Sequence, residues 1–95
     1  MTTWSWNSSK NRANQRKHRL SFEMAQRVFD DPLLLSRLDQ RSGEERWQSI
    51  GLIDGVAVVV VHTWLEGEGQ EAMGRIISAR KATKHEKKAY EAGSL

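Results

Sequence analysis

Residues 54–61 read DGVAVVVV, and this stretch constrains the fold more than any other. Side chains of a strand alternate between its two faces, so an unbroken valine run puts apolar groups on both. Such a strand is central in a sheet and covered on both sides. Asp54-Gly55 is the strongest short hairpin signal. It ties Val56–Trp64 to a preceding candidate strand, Arg46–Ile53. Leu33–Leu38 and Met73–Ala79 read as two more strands, and WSW at residues 4–6 can open a short further one. Asn7 or Ser8 can cap a helix running to about His18, whose only apolar residue is Ala13. Ser21 is the next cap candidate, with Glu23 where the helix dipole favours an anion. Phe22, Ala25, Val28 and Phe29 then recur at helical spacing, Met24 widens that face, and Asp30-Asp31-Pro32 ends it. Thr83-Lys84-His85-Glu86 fits a capping box, so a last helix starts near Thr83. The order (β)-α-α-β-β-β-β-α predicts an α+β domain over residues 1–95. In it a small antiparallel sheet of about four strands carries two N-terminal helices and one C-terminal helix. With 95 residues, 38% of them hydrophobic, one modest core is expected.

Charge is distributed unevenly. Residues 1–22 hold five cations and no acid, residues 23–79 hold five cations and ten acids, and residues 80–95 hold five cations against Glu86 and Glu91. Two basic ends around an acidic middle suit a bound polyanion or an oppositely charged protein. The bland alternative is a pair of solvated helical faces. There is no cysteine, so no disulfide framework and no thiolate metal site. The histidines, His18, His62 and His85, are not at ligand spacing from one another. Glycine-rich phosphate loops and G-x-S-x-G motifs are lacking. No cofactor or metal is expected. The N-terminus carries no apolar run of the signal-peptide kind, and the longest apolar run, Val56–Val61, is too short to span a bilayer. The expectation is a soluble, cytoplasmic protein with no membrane partner.

What remains is cationic chemistry. By alternation, Arg75, Ile77 and Ala79 share one face of the last strand, and Ile76, Ser78 and Arg80 share the other. Ile77 reads as core, so Arg75 sits at a sheet margin or is desolvated against a partner, either Glu45 or another acid, or a phosphate. Arg80 and Lys81 lie at the strand-to-helix junction, where a phosphate is the better partner. Lys84, Lys87 and Lys88 on the last helix can meet phosphate backbone or an acidic protein segment. Trp47 and Trp64 can stack on a base or fill the core. His18 can cap and pack, or transfer a proton.

Three segments, KNRANQRKHRLSFEMAQRVFDDP, GEERWQSIG and RIISARKATKHEKKAYE, resemble the BrnT toxins of bacterial type II toxin–antitoxin pairs. The resemblance runs from Trp6 to Glu91. It is carried by Asn14, Lys17 and His18, by Ser21, Phe22, Glu23, Ala25, Val28, Phe29, Asp31 and Pro32, by Glu44, Glu45, Arg46, Ile50 and Gly51, and by residues 75–80. It implies a fold similar to the RelE ribonucleases and endoribonuclease action on messenger RNA that arrests translation. It also implies a BrnA-type antitoxin through which operator DNA is contacted. Two positions depart from the family. Arg19 stands where a glycine is common, which adds charge and stiffens the turn. Arg41-Ser42-Gly43 holds no histidine where the family often has one before EER, so that residue's acid–base role does not carry over. The loop EGEGQEAMG is also longer and more acidic than the usual hairpin.

RNA carries its own nucleophile, the 2′-hydroxyl, so cleavage needs that group deprotonated, the phosphorane charge stabilised and the 5′ oxygen protonated. We give the stabilising role to Arg46, Arg75 and Arg80, with Lys17 and Lys81 holding flanking phosphates; Trp47 is the candidate for stacking on a base, although core packing is the commoner role of such a tryptophan. Glu45 and His18 are the candidate bases. The rival expectation is a basic binding module without chemistry. A cluster of Glu45, Arg46, Arg75 and Arg80 in one concave patch distinguishes the enzyme from the module.

Overall fold

The computed structural model describes residues 2–39, 45–66 and 72–94. β1 (Thr2–Ser5) leads into α1 (Ser8–His18), α2 (Phe22–Ala25) and a 3-10 turn (Gln26–Asp30). β2 (Leu35–Asp39), β3 (Arg46–Ile53), β4 (Val56–His62), β5 (Leu65–Glu66), β6 (Ala72–Lys81) and α3 (Lys84–Ala92) follow. The strands lie in the order β1-β6-β4-β3-β2, and β5 pairs with β6 off that path. β4 is central, as its valines demand. Val58 and Val60 enter a core with Phe22, Ala25, Val28, Ile53, Ile76 and Ala79, beneath α1, α2 and the 3-10 turn. Ala57 and Val59 face the other way, onto Ile50 and Tyr90 of α3. At the hairpin, Asp54 and Gly55 take φ of 49° and 82°, the pair of positive values that a type I′ turn needs.

The sheet is mixed, not purely antiparallel, and has more than the expected four strands. β1 runs parallel to β6, with Trp4 opposite Gly74 and Ser5 opposite Arg75. About two thirds of the chain, residues 6–71, separates the two strands, which is the long connection that parallel pairing requires. The indole of Trp4 fills the space above Gly74, where a Cβ would collide with it. That ring stacks on Phe29 at 4.0 Å and meets His62 edge-on at 5.1 Å. The second helix is a single turn that tightens into 3-10 winding. The reason is close approach: a Cβ on Gly51 of β3 would lie 2.8 Å from the Val28 carbonyl. Asp31 ends this segment and ties three others together. Its carboxylate accepts from Leu33 N, from Leu52 N of β3 and, at 2.5 Å, from the Tyr90 hydroxyl of α3. These bonds, the Tyr90 one first, hold the Asp31 carboxyl below its usual range.

A bulge in β6 overturns the expected alternation. Val61 pairs with Ser78 but His62 pairs with Ile76, which leaves Ile77 as the extra residue. An inserted residue shifts every later side chain to the opposite face. Ile76 and Ala79 are therefore both core, Ile77 is only half-buried, and Arg75 is exposed. Because Gly74 faces Trp4, Arg75 lies on the α3 side of the sheet, and Arg80, in register with Val59, lies on that side too. Among the described residues no helix is long and apolar enough to cross a membrane.

Candidate functional site

β1 covers only the first part of β6, and the later part of that strand meets α1 instead. The helix has almost nothing apolar to bury. A polar residue anchors it: Asn14, 6% exposed, donates through Nδ2 to the Leu20 and Ala79 carbonyls, both at 2.9 Å, and accepts from Ala79 N at 3.1 Å. Asn14 was legible as part of a motif but not as an anchor. The signal was a helix with one alanine as its whole apolar content, which must be held by something polar.

Fixing Asn14 to Ala79 brings the end of α1 against the end of β6. Between them lies a cleft of about 460 Å³ lined by Lys17, His18, Arg19, Arg80, Lys81 and Thr83. Four sequence candidates, Lys17, His18, Arg80 and Lys81, thus meet in one place, and no described carboxylate lines it. Arg19 joins them. It is the C-cap of α1 with φ 58° and ψ 30°, and its N–H donates to Gln15 O. Sequence reasoning marked it as an added charge and missed that the backbone there is left-handed.

Arg80 is held by α3. Its Nη1 and Nη2 donate to the two carboxylate oxygens of Glu86 at 2.7 and 2.9 Å. The same carboxylate accepts from Thr83 N, and Thr83 Oγ1 accepts from Glu86 N, completing the capping box. The Arg80 hydrogen bonds foremost, with the backbone bond from Thr83, hold the Glu86 carboxyl at about 2 against an ordinary 4.5. The guanidinium rises in turn, mainly through the bond to Glu86. A guanidinium carries five donors. Glu86 takes the end-on pair, and a longer contact from Nη1 reaches Lys81 O at 3.4 Å. The edge made by Nε–H and the second Nη2–H stays open, and that edge too can grip two oxygens of a phosphate.

The other candidates lie elsewhere. Arg46 faces Asp39 across β2 and β3 and, by alternation with Ile50, points to the α3 side of the sheet. Arg75 shares that side, roughly 15 Å along β6 from Arg80. Arg37 joins them, donating to Gln48 Oε1 at 2.9 Å from Nη2. Glu45 and Trp47 are on the opposite face, where with Ser36 and Trp64 they line a separate cavity of about 330 Å³. Glu45, Arg46, Arg75 and Arg80 therefore do not form the one concave patch expected of the enzyme: Glu45 and Arg80 line different cavities, and the basic residues that do converge with Arg80 are Lys17, His18, Arg19 and Lys81. Lys84, Lys87 and Lys88 are exposed on the outer face of α3. Arg41-Ser42-Gly43, Glu44 and residues 67–71 of the acidic loop lie outside the described residues.

Behind the aromatic cluster sits a hydrogen-bonded chain. His62 is fully buried, its Nδ1 is 3.0 Å from Thr63 O and its Nε2 is 2.7 Å from Ser49 Oγ. A carbonyl only accepts, so Nδ1 carries the proton and Ser49 donates to Nε2. Ser36 Oγ, 2.6 Å from Ser49 Oγ, donates in turn. Burial pushes the His62 imidazole below its ordinary value, against a smaller raising effect from Thr63. Among the described residues no group of three or more His, Cys, Asp or Glu is arranged to hold a metal.

A family described as "Ribonuclease toxin, BrnT, of type II toxin-antitoxin system" matches residues 6–86. No curated protein matches the chain.

Proposed function

The chain belongs to the BrnT family of ribonuclease toxins of type II toxin–antitoxin systems, and from that premise we propose that it cleaves messenger RNA in the basic cleft between α1 and β6. The observation that carries this reading is the cleft itself: a cationic lining with no described carboxylate, around one arginine whose orientation a half-buried carboxylate fixes. The 2′-oxygen attacks the adjacent phosphorus as its proton passes to His18. The bond to the 5′ oxygen breaks as that oxygen takes up the proton relayed from His18, leaving a 2′,3′-cyclic phosphate and a free 5′-hydroxyl. The open edge of Arg80 stabilises the charge that builds on the non-bridging oxygens, where a fixed donor is most effective. Lys17 and Lys81 hold flanking phosphates. Imidazole suits both proton transfers at neutral pH, and His18 is the acid–base candidate that shares the cleft with Arg80. Arg46 and Arg75, on the α3 side of the sheet, extend the cationic path for the RNA strand, and the exposed lysines of α3 add non-specific backbone attraction. The substrate's own nucleophile and these cations suffice without a metal.

A mixed sheet with helices on both faces is compatible with a RelE-like fold. The type II family implies a protein antitoxin. We read that partner as BrnA-type, covering the basic cleft, contacting operator DNA for the pair, and acting where messenger RNA is found, in the cytoplasm. Expression of the chain alone is expected to slow growth and lower translation, and co-expression of the adjacent antitoxin to restore both. Purified protein in EDTA is expected to cut single-stranded RNA to cyclic phosphate ends. Normal growth at confirmed high soluble expression, with RNA bound and left intact, overturns the enzyme in favour of a binding module.

A further inference from the structure

Arg19 holds a backbone conformation that does not suit it. At φ 58° an L-residue brings its Cβ against its own carbonyl, and the strain relative to glycine is on the order of 1 kcal/mol. Among the described residues the other non-glycine at positive φ is Asp54. Asp54 is explained where it stands: aspartate tolerates the left-handed region, and the hairpin requires it there. The end of α1 likewise takes a left-handed residue, with its N–H on Gln15 O, but arginine, unlike aspartate or glycine, is poorly suited to that region. The Arg19 side chain is exposed and makes no hydrogen bond or ion pair with any described residue, so no contact within the fold offsets the strain. Attraction to the helix C-terminus does not account for it either. Arg16 and Lys17 already supply cations to the last turn of α1, and that attraction needs no left-handed residue. What the position does provide is a place in the cleft, at the end of α1, in a lining shared with Arg80. Strained residues that persist without internal compensation concentrate where a ligand is met.

We infer that Arg19 is a phosphate ligand of the cleft, gripping the RNA backbone at a second phosphate beside the one held by Arg80. The inference rests on the reading of the cleft as an RNA site and goes beyond it. It makes the α1 wall, and not only the strand-to-helix junction, part of the binding surface. It also makes this chain's grip on RNA stronger than that of a version with glycine at the same turn.

The test separates fold from function because the two respond in opposite directions. Wild type, Arg19→Gly and Arg19→Lys are melted, and each is titrated with a fully 2′-O-methylated single-stranded oligonucleotide, which blocks the nucleophile, over a range of salt concentrations. Glycine relieves the strain, so the midpoint of Arg19→Gly is expected to rise by roughly 4–8 °C. Its slope of log affinity against log salt is expected to become shallower by about 0.7, which at 0.1 M salt is about a fivefold loss of affinity. Arg19→Lys keeps the charge and is expected to keep the slope. A wild-type slope and affinity in Arg19→Gly overturns the inference and leaves the cleft reading standing. A wild-type protein that does not bind the oligonucleotide at all removes the cleft reading, and the inference with it.

Discussion

Replacing Glu86 with glutamine isolates what the carboxylate does for Arg80. Glutamine still offers an oxygen to Thr83 N, so the capping box of α3 survives. What is lost is the charge and the two-point grip on the guanidinium, now 2.7 and 2.9 Å long. Hydrogen bonds to charged groups contribute roughly 1.5–3 kcal/mol. The Arg80 side chain is 37% exposed and Glu86 15%, so solvent screening brings the expected loss to about 1–2 kcal/mol. A domain of this size then melts roughly 5–15 °C lower. The pH dependence carries a signature. The Glu86 carboxyl is depressed from 4.5 to about 2, so its contribution is fully present above 4.5 and is lost as pH falls towards 2. In Glu86→Gln that part of the acid limb should flatten. Function should split in a way a purely structural role does not produce. With its orientation released, Arg80 no longer presents its open edge in a fixed direction, and single-turnover cleavage of RNA is expected to slow by about 10- to 100-fold. Affinity for RNA should hold or improve, because a negative charge beside the bound phosphate has gone. Single-turnover rates at saturating enzyme, compared with binding of an uncleavable oligonucleotide, separate the two. A wild-type cleavage rate in a folded Glu86→Gln refutes the reasoning and reduces Glu86 to a helix staple.

Asn14→Ala should cost about 3 kcal/mol, since it leaves Ala79 N–H and two carbonyls without their partner; chemical denaturation measures this, and a loss under 1 kcal/mol means α1 is held by other contacts. His62 should make stability fall as pH drops below about 6.5. Its folded-state value lies below the ordinary one, so the unfolded chain binds the proton first, and the slope approaches about 1.4 kcal/mol per pH unit. Denaturation at pH 5 and pH 7 should show this in wild type and not in His62→Gln. Alanine at Lys84, Lys87 and Lys88 together should make the salt dependence of RNA binding shallower without changing sequence preference; an unchanged slope assigns these lysines to solvation of α3.

The parts of the fold that announce themselves in the sequence are those set by neighbours. The Asp54-Gly55 turn, the valine run of β4 and the Thr83–Glu86 capping box each depend on a few adjacent residues, and each stands where the pattern puts it. The parts that do not announce themselves are set by distant ones. The parallel pairing of β1 with β6 is decided by Trp4 settling over Gly74. The bulge at Ile77 adds one residue, and no local signal marks which of RIISAR is the extra one. That residue decides whether Arg75 and Arg80 share a face, so an error of one position put Arg75 on the wrong side of the sheet relative to Arg80. The cations of the cleft were legible as a charge run. Their convergence was not, because it depends on Asn14 reaching Ala79. Arg80's carboxylate partner, Glu86, was visible only as a member of the capping box.

The bond from Asn14 to Ala79 spans 65 positions along the chain, and this has a consequence during synthesis. The α1 wall of the cleft is made 65 residues ahead of the strand position that it leans on. The contacts that build the site are non-local, and such contacts form late. While the ribosome still shelters residues 75–86, the emerging chain has half a cleft, no Arg80 and no Glu86 to aim it. A cleft built this way is complete only after residues 75–86 have been made and have left the ribosome, so its two walls mature at different times.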